Sequence, residues 1–146
     1  MSGFGISGIA RWALKTADIE RLLKFYRDTL GFTEMMRLHH EDGRLFLIYL
    51  RITDTQYLEL FPEGEGGEAP DERASAVNHI CLEVENIAAT AAALTNAGIA
   101  LHRAPKLGLD GNNQCWIMDP DSNRIEFMQL LPGNMQWAAI ERLKKA

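Results

Sequence analysis

Only two cysteines occur among the 146 residues, Cys81 and Cys115, each inside an apolar stretch. That argues against a disulfide scaffold and for buried thiols in a reducing compartment, so a cytoplasmic location is expected. No run approaches the roughly 18 consecutive apolar residues of a membrane span, and the N-terminus MSGFGISGIARW lacks the charged region and apolar core of a secretion signal. Excess positive charge is missing too. Fifteen Lys and Arg against twenty Asp and Glu leave a net charge of −5, which offers no footprint for nucleic acid. There is no Walker-type phosphate loop, no nucleophile elbow and no CxxC, which argues against nucleotide, serine-hydrolase and dithiol redox chemistry. Gly3, Gly5 and Gly8 do spell GxGxxG, but no strand precedes them and a strand follows, so the dinucleotide context is missing and an N-terminal arm is expected.

What is present is a duplication. The segment from Ala10 to Phe61 is echoed element by element by Asn78 to Met128: Arg11 plus 68 is His79, Glu59 plus 67 is Glu126, with one one-residue slip between the halves. Composition is that of a globular protein, 47% hydrophobic and 24% charged. A chain near this length buries roughly 70% of its unfolded surface, so one domain over residues 1–146 made of two small modules is expected. Two carboxylates and one histidine at repeat-related positions suggest a metal site between the halves.

Each half reads as one strand, one helix and then three strands. In the first module, about residues 9–61, Ile9 to Lys15 alternate as a strand. Asp18 caps a helix with Ile19, Leu22, Leu23, Tyr26 and Leu30 at spacings of three and four, and Gly31 ends it. Glu34 to His40 and Leu45 to Ile52 flank an Asp-Gly turn as a hairpin, and Tyr57 to Phe61 follows. In the second, about 77–130, Val77 to Val84 is a strand, and Asn86 caps a helix that Gly98 ends. Ile99 to Arg103, Asn113 to Met118 and Arg124 to Leu130 complete it. Residues 62–76, rich in Gly, Pro and acid, read as an exposed linker. Trp137, Ile140 and Leu143 give a short amphipathic helix over about 135–145. The fold class is therefore α+β, two βαβββ modules forming a curved mixed sheet with a concave central pocket.

Strand alternation sorts the candidate residues by face. Leu58, Leu60, Ile80, Leu82, Ile125 and Phe127 form the helix-facing set, which leaves Arg11, Tyr57, Glu59, Phe61, His79, Cys81, Arg124, Glu126 and Met128 on the opposite face. A solvated sheet face would explain the polar members alone. Tyr57, Phe61, Cys81 and Met128 among them favour a partly enclosed pocket. Of the adjacent His39 and His40 one must face that pocket, and His40 is taken as a candidate substrate contact, while His102 and Lys106 are read as peripheral.

The segments ADIERLLKFYRDTLGF, YLELF, NHICLEVENI and MDPDSNRIEFMQL, within the repeat from about Ile9 to Leu130, resemble the vicinal oxygen chelate superfamily. Glyoxalase I, extradiol dioxygenases, fosfomycin-resistance enzymes and bleomycin-binding proteins belong to it. The resemblance implies a metal held by side chains from the first and last strand of each module. Glu59, His79 and Glu126 match three of those positions, and Arg11 stands at the fourth, where histidine or glutamine is expected. Arginine has no lone pair and cannot ligate a cation.

Two readings stay open. In one, a divalent cation (Mn²⁺, Fe²⁺, Co²⁺, Ni²⁺ or Zn²⁺) binds three protein ligands with positions left for substrate. Arg11 then meets a substrate oxyanion, with Tyr57, Phe61, His40 and Arg124 lining the pocket. Glu126 or Glu59 acts as general base, in a glyoxalase-like lyase or isomerase for a small hydroxylated carbonyl compound; an Fe²⁺ ring-cleavage dioxygenase is the related alternative. In the other, Arg11 pairs with a carboxylate where the metal would be and the protein binds small molecules, such as drugs, without metal. A homodimer is expected in either case, two-fold dimers being the commonest soluble oligomer. The partners expected are a small molecule and a second copy, with neither nucleic acid nor membrane.

Overall fold

A computed structural model describes residues 4–145, so that of the three N-terminal glycines Gly3 lies outside the described residues. The chain divides into two compact units, Met1–Gly67 and Glu68–Ala146. Each holds one four-stranded mixed sheet, and the α+β class with two βαβββ modules is as expected.

In the first unit β1 (Arg11–Lys15), α1 (Ile19–Leu23), β2 (Thr33–His39), β3 (Leu45–Arg51) and β4 (Tyr57–Phe61) follow one another, and the sheet order is β1-β4-β3-β2. The Asp18 Oδ1 atom accepts from the Arg21 N–H at 3.0 Å, the N-cap the sequence calls for. Beyond Leu23 the helix widens into a π-turn over Lys24–Thr29, with the Leu30 N–H donating to the Phe25 carbonyl at 3.0 Å. At that widening the fully buried Tyr26 meets Trp12 edge-on at 5.9 Å, Phe25 at 5.1 Å and Phe32 in a stack at 5.9 Å. Gly31, at φ +81°, turns the chain out of the helix into β2. Leu22, Leu23, Ile48, Leu50, Leu58 and Leu60 are fully buried, and of these Leu58 and Leu60 belong to the helix-facing set expected from alternation.

The second unit repeats the plan with β5 (Ile80–Glu83), α2 (Ile87–Asn96), β6 (Arg103–Leu107), β7 (Asn113–Met118) and β8 (Arg124–Gln129), in the order β5-β8-β7-β6. Asn86 caps α2 through its Oδ1 atom, and Ile125, Phe127 and Ile117 are buried on the helix side. Two strands differ from expectation. β5 is four residues long, so His79 lies just before it. The strand expected at Ile99 to Arg103 begins at Arg103 instead and includes Pro105. β6 is an edge strand, where a residue without an N–H costs no ladder bond, and its pairing to β7 is irregular between Arg103 and Lys106.

The linker is exposed but not free. The Ala69 N–H donates to the Asp121 carbonyl at 2.8 Å, and the Arg124 guanidinium donates to the carbonyls of Pro70 at 3.0 Å and Asn78 at 2.8 Å. The final helix, α3 (Met135–Lys144), is capped by Asn134 and tied to the fully buried Asn112, which accepts from the Leu131 N–H at 3.2 Å and donates to Asp110 and Gln136. Among the described residues no helix is long and apolar enough to cross a membrane. Truncating the aromatic hub, Tyr26→Ala, is expected to cost about 3–5 kcal/mol; urea unfolding followed by tryptophan fluorescence measures it, and a loss under about 1 kcal/mol would show that the π-turn can collapse onto the void.

Candidate functional site

In both units the first strand pairs in parallel with the last, and the registers correspond: Ala13 faces Glu59, and Cys81 faces Glu126. Arg11 and His79 each stand two residues earlier on the same face as those partners. The third strand then brings Tyr49 opposite Glu59 and Trp116 opposite Glu126. Equivalent positions thus carry Arg, Tyr and Glu in one unit and His, Trp and Glu in the other.

In the first unit Arg11 Nε lies 3.2 Å from Glu59 Oε2, and Arg11 Nη1 donates to the Tyr49 hydroxyl at 2.9 Å. Only 6% of Glu59 is exposed. A buried carboxylate is costly unless its lone pairs are satisfied, and Arg11 and Tyr49 supply that. The hydrogen bond from Tyr49 to Glu59 is the chief reason its phenol stays protonated above the ordinary range, with burial and the carboxylate charge adding to it. Tyr57 and Phe61 flank Glu59 on β4. The Tyr57 hydroxyl donates to the Asp54 carbonyl at 2.5 Å, and Phe61 meets Phe46 at 5.6 Å, which in turn meets His40 at 5.0 Å.

In the second unit His79 Nε2 lies 3.1 Å from Glu126 Oε2. The other ring nitrogen, Nδ1, is 2.8 Å from Asn78 Oδ1, and the imidazole rests edge-on against Trp116 at 4.6 Å. The Trp116 indole N–H donates to Gln114 at 2.7 Å, and its other neighbour is the Arg103 guanidinium, 5.1 Å from the ring centre. The Cys81 thiol is pushed up to about 12, first by burial and then by the Glu126 carboxylate, to which it donates. As the residue keeps solvent exposure, the carboxylate contact is the cause that a substitution can read directly.

Of the residues expected at the site, Arg11 is therefore joined to Glu59 and His79 to Glu126. Arg124 is a correction. It is 7% exposed, and its guanidinium holds the carbonyls of Pro70 and Asn78, so it fastens the linker rather than facing a ligand. Tyr49 lies in the strand expected over Leu45 to Ile52 and Asn78 in the one expected over Val77 to Val84, and neither is among the expected site residues. The one available signal for Tyr49 was its place 67 residues before Trp116. Among the described residues, neither unit by itself gathers three His, Cys, Asp or Glu side chains able to hold a metal ion.

The profile of the glyoxalase/bleomycin resistance protein/dioxygenase superfamily matches residues 8–127. The chain belongs to this superfamily. Among curated members it is 30% identical over 117 residues to the ethylmalonyl-CoA/methylmalonyl-CoA epimerase of Cereibacter sphaeroides, covering 76% of this chain and 87% of that one. It is 27% identical over 118 residues to the lactoylglutathione lyase of Haemophilus influenzae, covering 80% and 87%. The superfamily fold recurs in a glyoxalase family protein from Enterococcus faecalis, with a TM-score of 0.72 at 22% identity over 83% of this chain and 96% of that one. It recurs also in an antibiotic-binding protein from Streptomyces sp. CB03234, with a TM-score of 0.65 at 22% identity over 87% and 98%. The two curated relatives named are thus an epimerase and a lyase of this superfamily.

The Cys81 contact yields a direct check. In metal-free protein at pH 8, well below the raised thiol value, Cys81 should react with a disulfide reagent more slowly than free cysteine. Glu126→Gln should speed it; peptide mapping of the labelled thiols reads both, and an unchanged rate would show that Cys81 does not feel Glu126.

Proposed function

We propose that this superfamily member is a metal-dependent lyase or isomerase acting on a small hydroxylated carbonyl compound. The observation that carries the reading is the His79–Glu126 pair. His79 Nε2 lies 3.1 Å from a Glu126 carboxylate oxygen, and its Nδ1 lies 2.8 Å from Asn78 Oδ1. Two lone-pair donors side by side, the histidine oriented through its far nitrogen, are the chemistry a divalent cation fits.

His79 and Glu126 would hold the ion together with Glu59, a nitrogen-and-carboxylate set suited to Mn²⁺, Fe²⁺, Co²⁺, Ni²⁺ or Zn²⁺. The ion, when bound, supplies Lewis-acid stabilisation of negative charge developing on a substrate oxygen. The protein's own groups do the rest: Arg11, more than half exposed, offers its guanidinium to a substrate carboxylate or oxyanion. Glu126 or Glu59 takes the proton from the carbon beside the carbonyl and returns it.

A second reading is a metal-free small-molecule binder. The 3.2 Å Arg11–Glu59 ion pair favours it, because a fixed cation already neutralises the buried carboxylate. Elemental analysis separates the two. Near-stoichiometric metal that falls away in His79→Ala is expected, and an exchange of the α-hydrogen of methylmalonyl-CoA in D₂O, or turnover of lactoylglutathione, that Glu126→Ala abolishes. No metal in either protein after incubation with all five ions would leave the binder. The homodimer rests on the exposed Met135, Trp137 and Leu143 of α3; light scattering should return twice the 16.4 kDa chain mass, and a mass of 16.4 kDa would overturn it.

A further inference from the structure

One residue holds Arg11 from two sides. Arg11 Nη1 donates to the Tyr49 hydroxyl at 2.9 Å, and the guanidinium carbon lies 5.9 Å from the centre of the Tyr49 ring, so both the polar tip and the π-face of the tyrosine meet it. Glu59 closes the triangle, 3.2 Å from Arg11 Nε and accepting from the Tyr49 hydroxyl. A guanidinium carries five N–H donors and no acceptor. One on Nη1 goes to Tyr49 and the Nε–H faces Glu59, which leaves the second N–H of Nη1 and both of Nη2 without an acceptor among the described residues. More than half of this side chain is exposed, so the three are open to a ligand. The strand registers give the surroundings. Tyr57 faces Arg11 and Met36 faces Tyr49, and Phe61 and the exposed Met36 and Leu38 stand on the same side of the sheet as the guanidinium. Lys15 shares that side, opposite Phe61, and makes no ion pair among the described residues, whereas Arg51, opposite Tyr57, is paired to Asp54. Arg11 and Lys15 against the one carboxylate of Glu59 leave this face with positive charge in excess, inside an apolar rim.

We propose that the first unit is a carboxylate clamp in which Tyr49 is the positioning residue that aims Arg11, and that the substrate is a small carboxylate with an apolar body. This rests on the reading of Arg11 as the group that meets a substrate oxyanion, and it names the class of substrate. The two oxygens of a carboxylate match the neighbouring N–H groups of Nη1 and Nη2, the fork that a guanidinium presents to a planar anion. The apolar body then lies against Tyr57, Phe61, Met36 and Leu38. Without the Tyr49 hydroxyl the guanidinium keeps Glu59 but loses the bond that fixes its plane, and the open N–H groups spread over a range of directions. Every group of the clamp belongs to the first unit, and none of its contacts calls for a metal.

The test uses the full-length, metal-free protein and titrates benzoate, its uncharged isostere benzamide, and acetate, which lacks the apolar body. Isothermal titration calorimetry gives the affinities. The Arg11 Nε–Hε correlation in ¹⁵N-labelled protein, identified with Arg11→Gln, shows whether Arg11 is the group contacted. Benzoate should bind saturably and shift that signal, with benzamide and acetate at least about tenfold weaker. Tyr49→Phe keeps the ring and removes only the hydroxyl. It should weaken benzoate about tenfold and leave benzamide where it was, a loss of anion selectivity that a merely structural role would not produce. The proposal is overturned by benzoate and benzamide binding alike, by no binding of benzoate, by an Arg11 signal that benzoate leaves unmoved, or by a folded Tyr49→Phe with wild-type affinity. Because the wild-type comparison needs no variant, a misfolded mutant does not protect the proposal. If benzoate binds through Arg11 and the protein takes up none of the five ions, the metal reading fails and the clamp stands. Stoichiometric metal without benzoate binding has the reverse meaning.

Discussion

The parallel pairing of first and last strand in each unit is the constraint on which the site depends. An antiparallel hairpin brings neighbours in sequence together at the cost of a short turn, whereas a parallel pair needs a crossover, supplied here by the helix and the β2–β3 or β6–β7 hairpin. The Ala13–Glu59 and Cys81–Glu126 registers then place residues 11 and 79 diagonally from a carboxylate that is 48 and 47 positions away in sequence. A one-residue slip in either pairing would turn the carboxylate to the helix side, among Leu58 and Leu60 or Ile125 and Phe127. Those side chains are buried, and that burial is what holds the register.

Given that geometry, each unit must compensate a carboxylate that has lost most of its water, and the two do it differently. Beside Glu59 stand a permanent cation and a phenol, groups that can only compensate by remaining where they are. Beside Glu126 stand an imidazole and the Cys81 thiol, which burial first and then the Glu126 carboxylate keep protonated. The duplication therefore supplies one scaffold twice, with Arg11 and Tyr49 making a charge clamp in the first copy and a His79–Glu126 pair standing in the second.

Much of this was legible in the sequence because alternation and duplication are local or periodic signals. The face that Arg11 shares with Glu59, and the one that His79 shares with Glu126, follow from strand parity alone, and the caps at Asp18 and Asn86 follow from side chains that compete for helix N–H groups. What escaped depends on contacts that no period encodes. Tyr49 looked like one more apolar strand residue until pairing with β4 set its hydroxyl beside Glu59. Pro105 read as a loop because a proline is excluded from a ladder, and only its place on an edge strand permits β6. Arg124 matched the parity of the site face, yet its length carries the guanidinium to the linker carbonyls. Its charge is accommodated there by backbone dipoles, which parity cannot foresee.

Gly, Pro and acidic residues between the modules are the composition of a spacer, and a spacer contributes reach but no order. Here the same residues are polar anchors. Ala69 and Pro70 are fastened to the turn before β8 and to Arg124, and Glu72 supplies both a carbonyl for Asn78 and a carboxylate for Arg103. Individually such exposed bonds are worth little. Arranged as a ring around one imidazole, they act on its orientation rather than on the stability of the fold, because turning the His79 ring would break the Asn78 bond and strip Trp116 of its contact at once. A segment that the composition marks as an exposed linker is thus joined to the surroundings of His79 through Asn78 and Arg103.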